Sequence, residues 1–275
     1  HYPLRRQRQM CIRDRGERIP KGLLEKTYAI SSRDWESSLA IDRNALEDEL
    51  YGQIKLRVRE LASESKRFFD EFVFNLMEQG ALTAGAAGSY FEGKDVTCYD
   101  SKAFFATDHS EGLSGTQSNK GTTALGYTSL KAAITAMQKI KNDQGKIMGI
   151  RPTLLVVPAD LEFTAREILQ SEYYPHIPGT TASETAPGYL ARNVLRGVLD
   201  LLVTPYLTDT NNWYLFDTTR QLKPVIFISR KAPEFVALDQ GTESWFMRKQ
   251  IYYGVDFRGN VGWGLWQTAY GAIVS

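Results

Sequence analysis

Cysteine is nearly absent: Cys11 and Cys98 are the only two in 275 residues. Two thiols far apart in sequence make neither a metal pattern nor a disulfide framework, and a reducing compartment is the simpler assumption. Histidine is scarce, with His1, His109 and His176. No stretch reaches 18 consecutive apolar residues, which excludes a membrane-spanning apolar run, and no membrane partner is expected. No charged-then-apolar opening reads as a secretory signal. Net charge is nearly absent as well, at +1. Residues 1–15 carry five arginines against Asp14, so the rest sums to about −3. A body so close to neutral has no electrostatic footprint for gripping nucleic acid. Residues 1–15 show little periodicity and no initiating Met. They read either as a basic arm or as a non-native stretch, the latter implying that the true N-terminus is missing.

What remains is ordinary globular material, 43% hydrophobic and 24% charged. Residues 24–41 predict a two-stranded hairpin: Leu24–Ile30, a turn at Ser31-Ser32-Arg33-Asp34, then Trp35–Ile41. An isolated hairpin is at best marginally stable, so it must lie on its own core or on a neighbour. Residues 45–79 give the strongest local signal. Leu46, Leu50, Ile54, Val58, Leu61, Phe68, Phe72 and Leu76 form one helical face. Asn44 with Glu47 reads as its start and Gly80 as its stop, with Gly52 inside at a cost of about 1 kcal/mol relative to Ala. Residues 81–127 read as short strands and loops, with Ser110–Thr123 a polar, mobile surface loop.

From 128 the pattern alternates. Leu130, Ala133, Ile134, Met137 and Ile140 mark an amphipathic helix. Thr153–Val157 is a buried strand, and Pro158 opens a helix through Gln170. Residues 171–188 read as a long exposed loop, then Val194–Val203 and Trp213–Phe216 as strands. The C-terminal part predicts strands at Val225–Ser229, Glu234–Leu238, Phe246–Asp256 and Val261–Ala269. The whole reads as an α+β architecture with an inserted α/β block at about 126–220.

Candidate chemistry is thin. Asp108 and His109 are adjacent and could serve as orienter and base, but no nucleophile elbow accompanies them; Ser114 in Gly112-Leu113-Ser114-Gly115 lacks the spacing. The alternative for His109 is a loop side chain bonded to backbone, and for His176 a surface or interface contact. Gly88-Ser89-Tyr90-Phe91-Glu92-Gly93-Lys94-Asp95 approaches a phosphate-binding loop, but Asp95 stands where a hydroxyl is required and no strand leads in. A turn between short strands is the better reading. No catalytic residue, cofactor or metal is expected.

Several segments, taken in order, resemble the Mu-like prophage major head subunit family (gpT). The run from Trp35-Glu36 through Ile41-Asp42-Arg43-Asn44-Ala45-Leu46-Glu47-Asp48-Glu49 to Tyr51-Gly52 is similar to its helix-entry motif. Tyr99-Asp100-Ser101-Lys102-Ala103-Phe104-Phe105 with Asp108-His109 resembles its Y-D-G-x-x-F-F-x-x-D-H block, with Ser101 where Gly is usual. Leu154-Leu155-Val156-Val157-Pro158 with Leu161-Glu162, Ala165-Arg166 and Ile168-Leu169 resembles a third stretch. Trp213-Tyr214-Leu215-Phe216-Asp217, Tyr253-Gly254 and Trp266-Gln267 complete the set over about 24–270, while residues 1–15 match nothing.

The resemblance implies an α+β fold of the Hong Kong 97 capsid type. Residues 16–44 would be the extended hairpin (E-loop), 45–125 a peripheral domain with its spine helix, 126–220 an axial domain, and 221–275 the returning strands. It implies a structural head subunit, not an enzyme, that self-assembles as hexamers and pentamers into an icosahedral shell. The packaged DNA would be touched only non-specifically. Scaffold, protease and portal proteins would be partners during assembly in the host cytoplasm, and the virion the final location. Tyr28, Ile30, Trp35 and Leu39 are the candidate inter-subunit contacts. The alternatives are an encapsulin-like nanocompartment shell and a soluble hydrolase using Asp108 and His109.

Overall fold

The structure, a computed structural model, describes residues 28–42, 44, 52–176, 189–238 and 249–274. Its longest helix, α1 (Gln53–Gln79), has 27 residues and so runs about 40 Å. The three- and four-residue spacing of Leu61, Phe68, Phe72 and Leu76 turns one face inward. Phe72 and Leu76 are buried, and Phe68 packs against them from the rim. Gly52 lies at φ +69° just before the helix, a left-handed conformation open to glycine at little cost. It therefore precedes α1 instead of interrupting it, contrary to the expectation. The expected start at Ala45–Leu50 lies outside the described residues; the backbone N–H of Asn44 donates to Asp42 Oδ1 at 2.8 Å. Gly80 does stop the helix, but in a right-handed conformation, so it is no left-handed cap. A Cβ there would lie 2.6 Å from the Phe105 ring, and one at Gly271 would lie 2.7 Å from the same ring. Phe105 is clamped between two backbones, and both approaches need the missing side chain.

The first sheet has three strands in the order β1 (Arg33–Asp42), β11 (Gln250–Trp263), β10 (Val225–Leu238), all antiparallel. This corrects the predicted hairpin. Residues 28–32 form no strand, residues 24–27 lie outside the described residues, and Trp35–Ile41 pairs with the C-terminal Phe257–Ile251. Alternation identifies a strand but not its partner. The four predicted C-terminal strands also merge. β10 runs through Pro233 by shifting register between Ser229 and Glu234, as a bulge allows on an edge strand. β11 continues to Trp263, and the last segment becomes a 3-10 turn (Trp266–Thr268) and β12 (Ala269–Ala272). Residues 246–248 lie outside the described residues.

The second sheet has the order β4 (Lys120–Gly121), β12, β9 (Trp213–Phe216), β5 (Leu154–Pro158), β8 (Asp200–Thr204). Its β5–β8 pair is parallel, connected through a 3-10 turn (Ala159–Leu161), α3 (Glu162–Gln170) and the hairpin β6 (Tyr173–His176)–β7 (Tyr189–Arg192). Helix α2 (Tyr127–Gln138) packs against β12, and α3 against β5 and β8. The sheet thus draws β4 and β12 from either side of the 126–220 block. Residues 110–123 are no free loop: β2 (His109–Ser110) pairs with β3 (Thr116–Gln117), and Ser114 and Asn119 are buried. The Asn119 amide donates to the carbonyls of Phe104 (2.8 Å) and Trp266 (3.2 Å), which ties the segment into the core.

Candidate functional site

The Asp108–His109 pair does not form. Asp108 is exposed and bonds to Lys102 Nζ at 2.8 Å, which holds its carboxyl below the usual range. His109 is fully buried. Its Nδ1 lies 2.6 Å from Asp100 Oδ2, its Nε2 3.3 Å from the Phe104 carbonyl, and its ring stacks on Trp266 at 4.1 Å and 5°. Both nitrogens face acceptors inside the protein and one ring face is covered, so no substrate reaches this imidazole. Asp100 is the partner that sequence adjacency missed. It sits nine residues upstream, and the turn through Cys98–Lys102 carries it back: the Cys98 N–H donates to the Lys102 carbonyl at 2.7 Å.

Around this pair lies a polar knot. Tyr99 donates its hydroxyl to Glu111, and the Gln267 amide donates to Tyr99 Oη (2.7 Å) and Glu111 Oε2 (3.1 Å). Burial, then the Glu111 carboxylate, push the Tyr99 hydroxyl far above its ordinary pKa. Burial pushes the Cys98 thiol up to about 12, which makes it a poor nucleophile. These residues cross-link the 98–111 segment to the turn at 265–268.

The near-miss phosphate loop is closed by its own acid. The Gly88 N–H donates to Glu92 Oε2 at 3.0 Å and the Gly85 N–H to the Lys94 carbonyl at 2.9 Å. A carboxylate stands where phosphate oxygens would be received. Among the described residues no group of three or more His, Cys, Asp or Glu side chains could hold a metal ion, and no helix is long and apolar enough to cross a membrane.

The four candidate contact residues separate into three places. Tyr28 and Ile30 flank Trp263 along a groove of about 630 Å³ that also includes Ile226, Ile228 and Leu265. Ile30 packs on Gly262, where a Cβ would lie 2.7 Å from Ile30 Cδ1. Trp35 is engaged inside its own chain: its ring meets Phe68, Phe72 and Tyr90 at 5.0, 4.9 and 5.9 Å, and its Nε1 donates to the Gly259 carbonyl at 3.1 Å. It pins the three-stranded sheet to α1. Leu39 is half-buried opposite Tyr253, further out along the sheet. His176 has a described backbone in β6, paired with Tyr189.

The surface missed by sequence reading is the outer half of that sheet. Every residue from Ser229 to Ala237 of β10 is exposed, on both faces of the strand, with Phe235 and Val236 among them. The sequence reading placed two strands, Val225–Ser229 and Glu234–Leu238, where the structure has one, Val225–Leu238, so its length as one ribbon was hidden.

Comparisons with known proteins agree with this architecture. A family model described as phage capsid protein matches residues 27–274. The Mu-like prophage FluMu major head subunit of Haemophilus influenzae is 25% identical over 256 residues, covering 93% of this chain and 55% of that protein. The major capsid protein of Escherichia phage Mu is 29% identical over 97 residues, 35% of this chain and 28% of that protein. The chain spans about half the length, or less, of these curated relatives. A structure from Mycobacterium phage Patience shares the fold at 10% identity, with a TM-score of 0.55, over 94% of this chain and 77% of that one. So does the capsid of bacteriophage JBD30 decorated with minor capsid protein trimers, at 20% identity and a TM-score of 0.50, over 70% of this chain and 80% of that one.

Proposed function

We propose, from the fact that this chain belongs to the phage capsid protein family, that it is the structural major head subunit of a Mu-like phage or prophage and works by self-association. It assembles as hexamers and pentamers into an icosahedral head around DNA, which it touches only non-specifically, and it carries out no catalysis. The observation that supports the mechanism is the ribbon β1–β11–β10. Fourteen-residue strands reach about 46 Å. The outer half of β10 has no cover on either face among the described residues. A three-stranded ribbon exposing aromatic and aliphatic side chains on both faces leaves apolar area for other copies to bury.

In this reading the fold is of the Hong Kong 97 type. α1 is the spine of a peripheral domain, the sheet containing β5, β8 and β9 belongs to an axial domain, and the ribbon with Leu39 reaches towards neighbouring subunits. Tyr28 and Ile30 present the groove beside Trp263 to the same neighbours, while Trp35 anchors the ribbon from within. Scaffold, protease and portal proteins are the expected assembly partners, with assembly in the host cytoplasm and the virion as destination. The test is expression of the natural full-length protein, followed by electron microscopy and sedimentation. Closed shells of uniform size are expected. A protein that remains monomeric at high concentration overturns the reading.

A further inference from the structure

We propose that the free edge of β10 at Val225–Ser229 takes up an extended, lysine- or arginine-bearing segment of a second protein as a fourth antiparallel strand of the ribbon. β10 is the outer strand of its sheet. The Gly264 N–H donates to the Pro224 carbonyl at 2.8 Å, and Val225, Ile226 and Phe227 stand opposite Trp263, Gly262 and Val261. Residues of an antiparallel strand alternate between bonding across the pair and pointing away from it. Pro224, Ile226 and Ile228 therefore bond to β11. Val225, Phe227 and Ser229 turn their N–H and C=O groups to the open side, where no further strand lies among the described residues.

Edge strands are normally blunted by charge, proline or a bulge. Val225-Ile226-Phe227-Ile228-Ser229 has none of these. The register shift and the first charge come only after Ser229. Such an edge offers main-chain bonding to any extended peptide, and side-chain pockets choose which one binds. The pocket here is the groove beside Trp263. Phe227 turns towards α1, where its ring meets Phe69 at 5.5 Å. Ile226 and Ile228 turn to the opposite face and line the groove with Leu222 and Met148.

The charged residues of that lining are Glu111 and Asp143, both acids. Arg220 donates to the Met148 and Gly149 carbonyls and Lys223 to that of Thr218, and neither lines the groove. An added strand lies about 4.8 Å outside β10 and sends alternate side chains to the Ile226 face. A lysine or arginine there lays its aliphatic stem on the isoleucines and brings its charge to the acids. A second copy of this chain fits the edge poorly. Its long edge strands β1 and β8 carry Asp34, Glu36, Asp42 and Asp200 against Arg33 alone, and would bring acids to an acidic groove. Ile30 lies over Gly262 of β11, on the inner side of β10. The added strand takes the outer side, so it leaves the Tyr28 and Ile30 contact to neighbouring subunits.

The test uses the natural full-length chain, unassembled, and a fluorescein-labelled peptide of alternating valine and lysine, with binding read by anisotropy. The lysine peptide should bind, and a valine–glutamate peptide at least ten-fold more weakly. In an antiparallel strand whose lysines enter the groove, the valine amides face β10 and the lysine amides face away. N-methylation of the valine amides should therefore cost at least ten-fold, and N-methylation of the lysine amides should cost nothing. Ser229→Pro removes an outward N–H at an edge position that tolerates proline and should weaken binding at least ten-fold. Asp143→Lys should exchange the preference between the lysine and glutamate peptides. Phe235→Ser, on the outer half of β10, should leave binding as it is. Melting confirms that each variant is folded. Binding indifferent to N-methylation and to Ser229→Pro is charge attraction alone and overturns the proposal. So does the absence of binding up to about 1 mM peptide. Amide exchange at Val225, Phe227 and Ser229 exposes a wrong occupant. Protection in the unassembled protein means that the chain covers the edge itself, and protection that arises only on assembly means that another copy does; either overturns the proposal. The head-subunit reading is decided separately, by shell formation.

Discussion

Replacing His109 by alanine separates a structural imidazole from a catalytic one. The substitution removes both acceptor contacts and the ring stacked on Trp266. It leaves the Asp100 carboxylate, whose side chain is only 5% exposed, short of its 2.6 Å partner. Removing one member of a buried pair costs about 3–5 kcal/mol, mostly the penalty of the charge left behind. A chain of this size loses about 10 °C of melting temperature for such a change. The assay is thermal and denaturant unfolding of the unassembled subunit, with tryptophan fluorescence reporting on Trp266. His109→Phe serves as the control. It keeps a flat ring on Trp266, and so retains the stacking, worth about 0.5–1.5 kcal/mol, while losing the polar contacts. Its melting point should therefore fall between those of the alanine variant and the parent. The reasoning is refuted if His109→Ala melts within about 1 °C of the parent, or if the parent shows a hydrolytic activity that the variant lacks.

Gly80→Ala places a Cβ 2.6 Å from the Phe105 ring; overpacking of this kind costs about 1–3 kcal/mol, read as a lower urea midpoint with an unchanged slope. Asp217 is almost fully buried. Burial opposes its charge, but the Thr219 hydroxyl and N–H, the Arg151 N–H and the Arg220 guanidinium outweigh it and hold the carboxyl below its ordinary pKa. A depressed carboxylate contributes stability above its unfolded pKa of about 4 and loses it as pH falls through the lower folded value. Asp217→Asn should therefore lower stability at pH 7 and shrink the difference from the parent under acid, as measured by unfolding at pH 7 and near pH 3. Cys98, buried with its thiol pushed up to about 12, should resist iodoacetamide at pH 8 until the protein is denatured; labelling of the folded protein, detected by mass spectrometry of the Cys98 peptide, would contradict the burial.

Local spacing carried much of the fold. The helical face through Leu61, Phe72 and Leu76 and the succession of a buried strand from about Leu154 to a helix ending at Gln170 were legible, because periodicity reports backbone state directly; Pro158, expected to open that helix, instead ends the strand, and a 3-10 turn intervenes before Glu162. Strand partnership was not. Trp35 finds Phe257 across more than two hundred residues, and nothing near position 35 encodes that distance. The same limit applied to His109: adjacency pointed to Asp108, whereas the loop geometry delivered Asp100. The bulge at Ser229–Glu234 hid one long strand as two, since a register shift looks from sequence like a break.

The sequence alone determined the class of the molecule: one rod-like helix, an α/β block, strand-rich ends, few groups suited to catalysis, and ordered segments resembling phage head subunits. Tertiary structure decided which strands lie together, that His109 is sealed, that Trp35 turns inward, and that the outer half of β10 is exposed on both faces. The division follows from range. Local pattern sets a residue's conformation and which side it presents, but the choice among possible neighbours is made by burial summed over contacts distant in the chain.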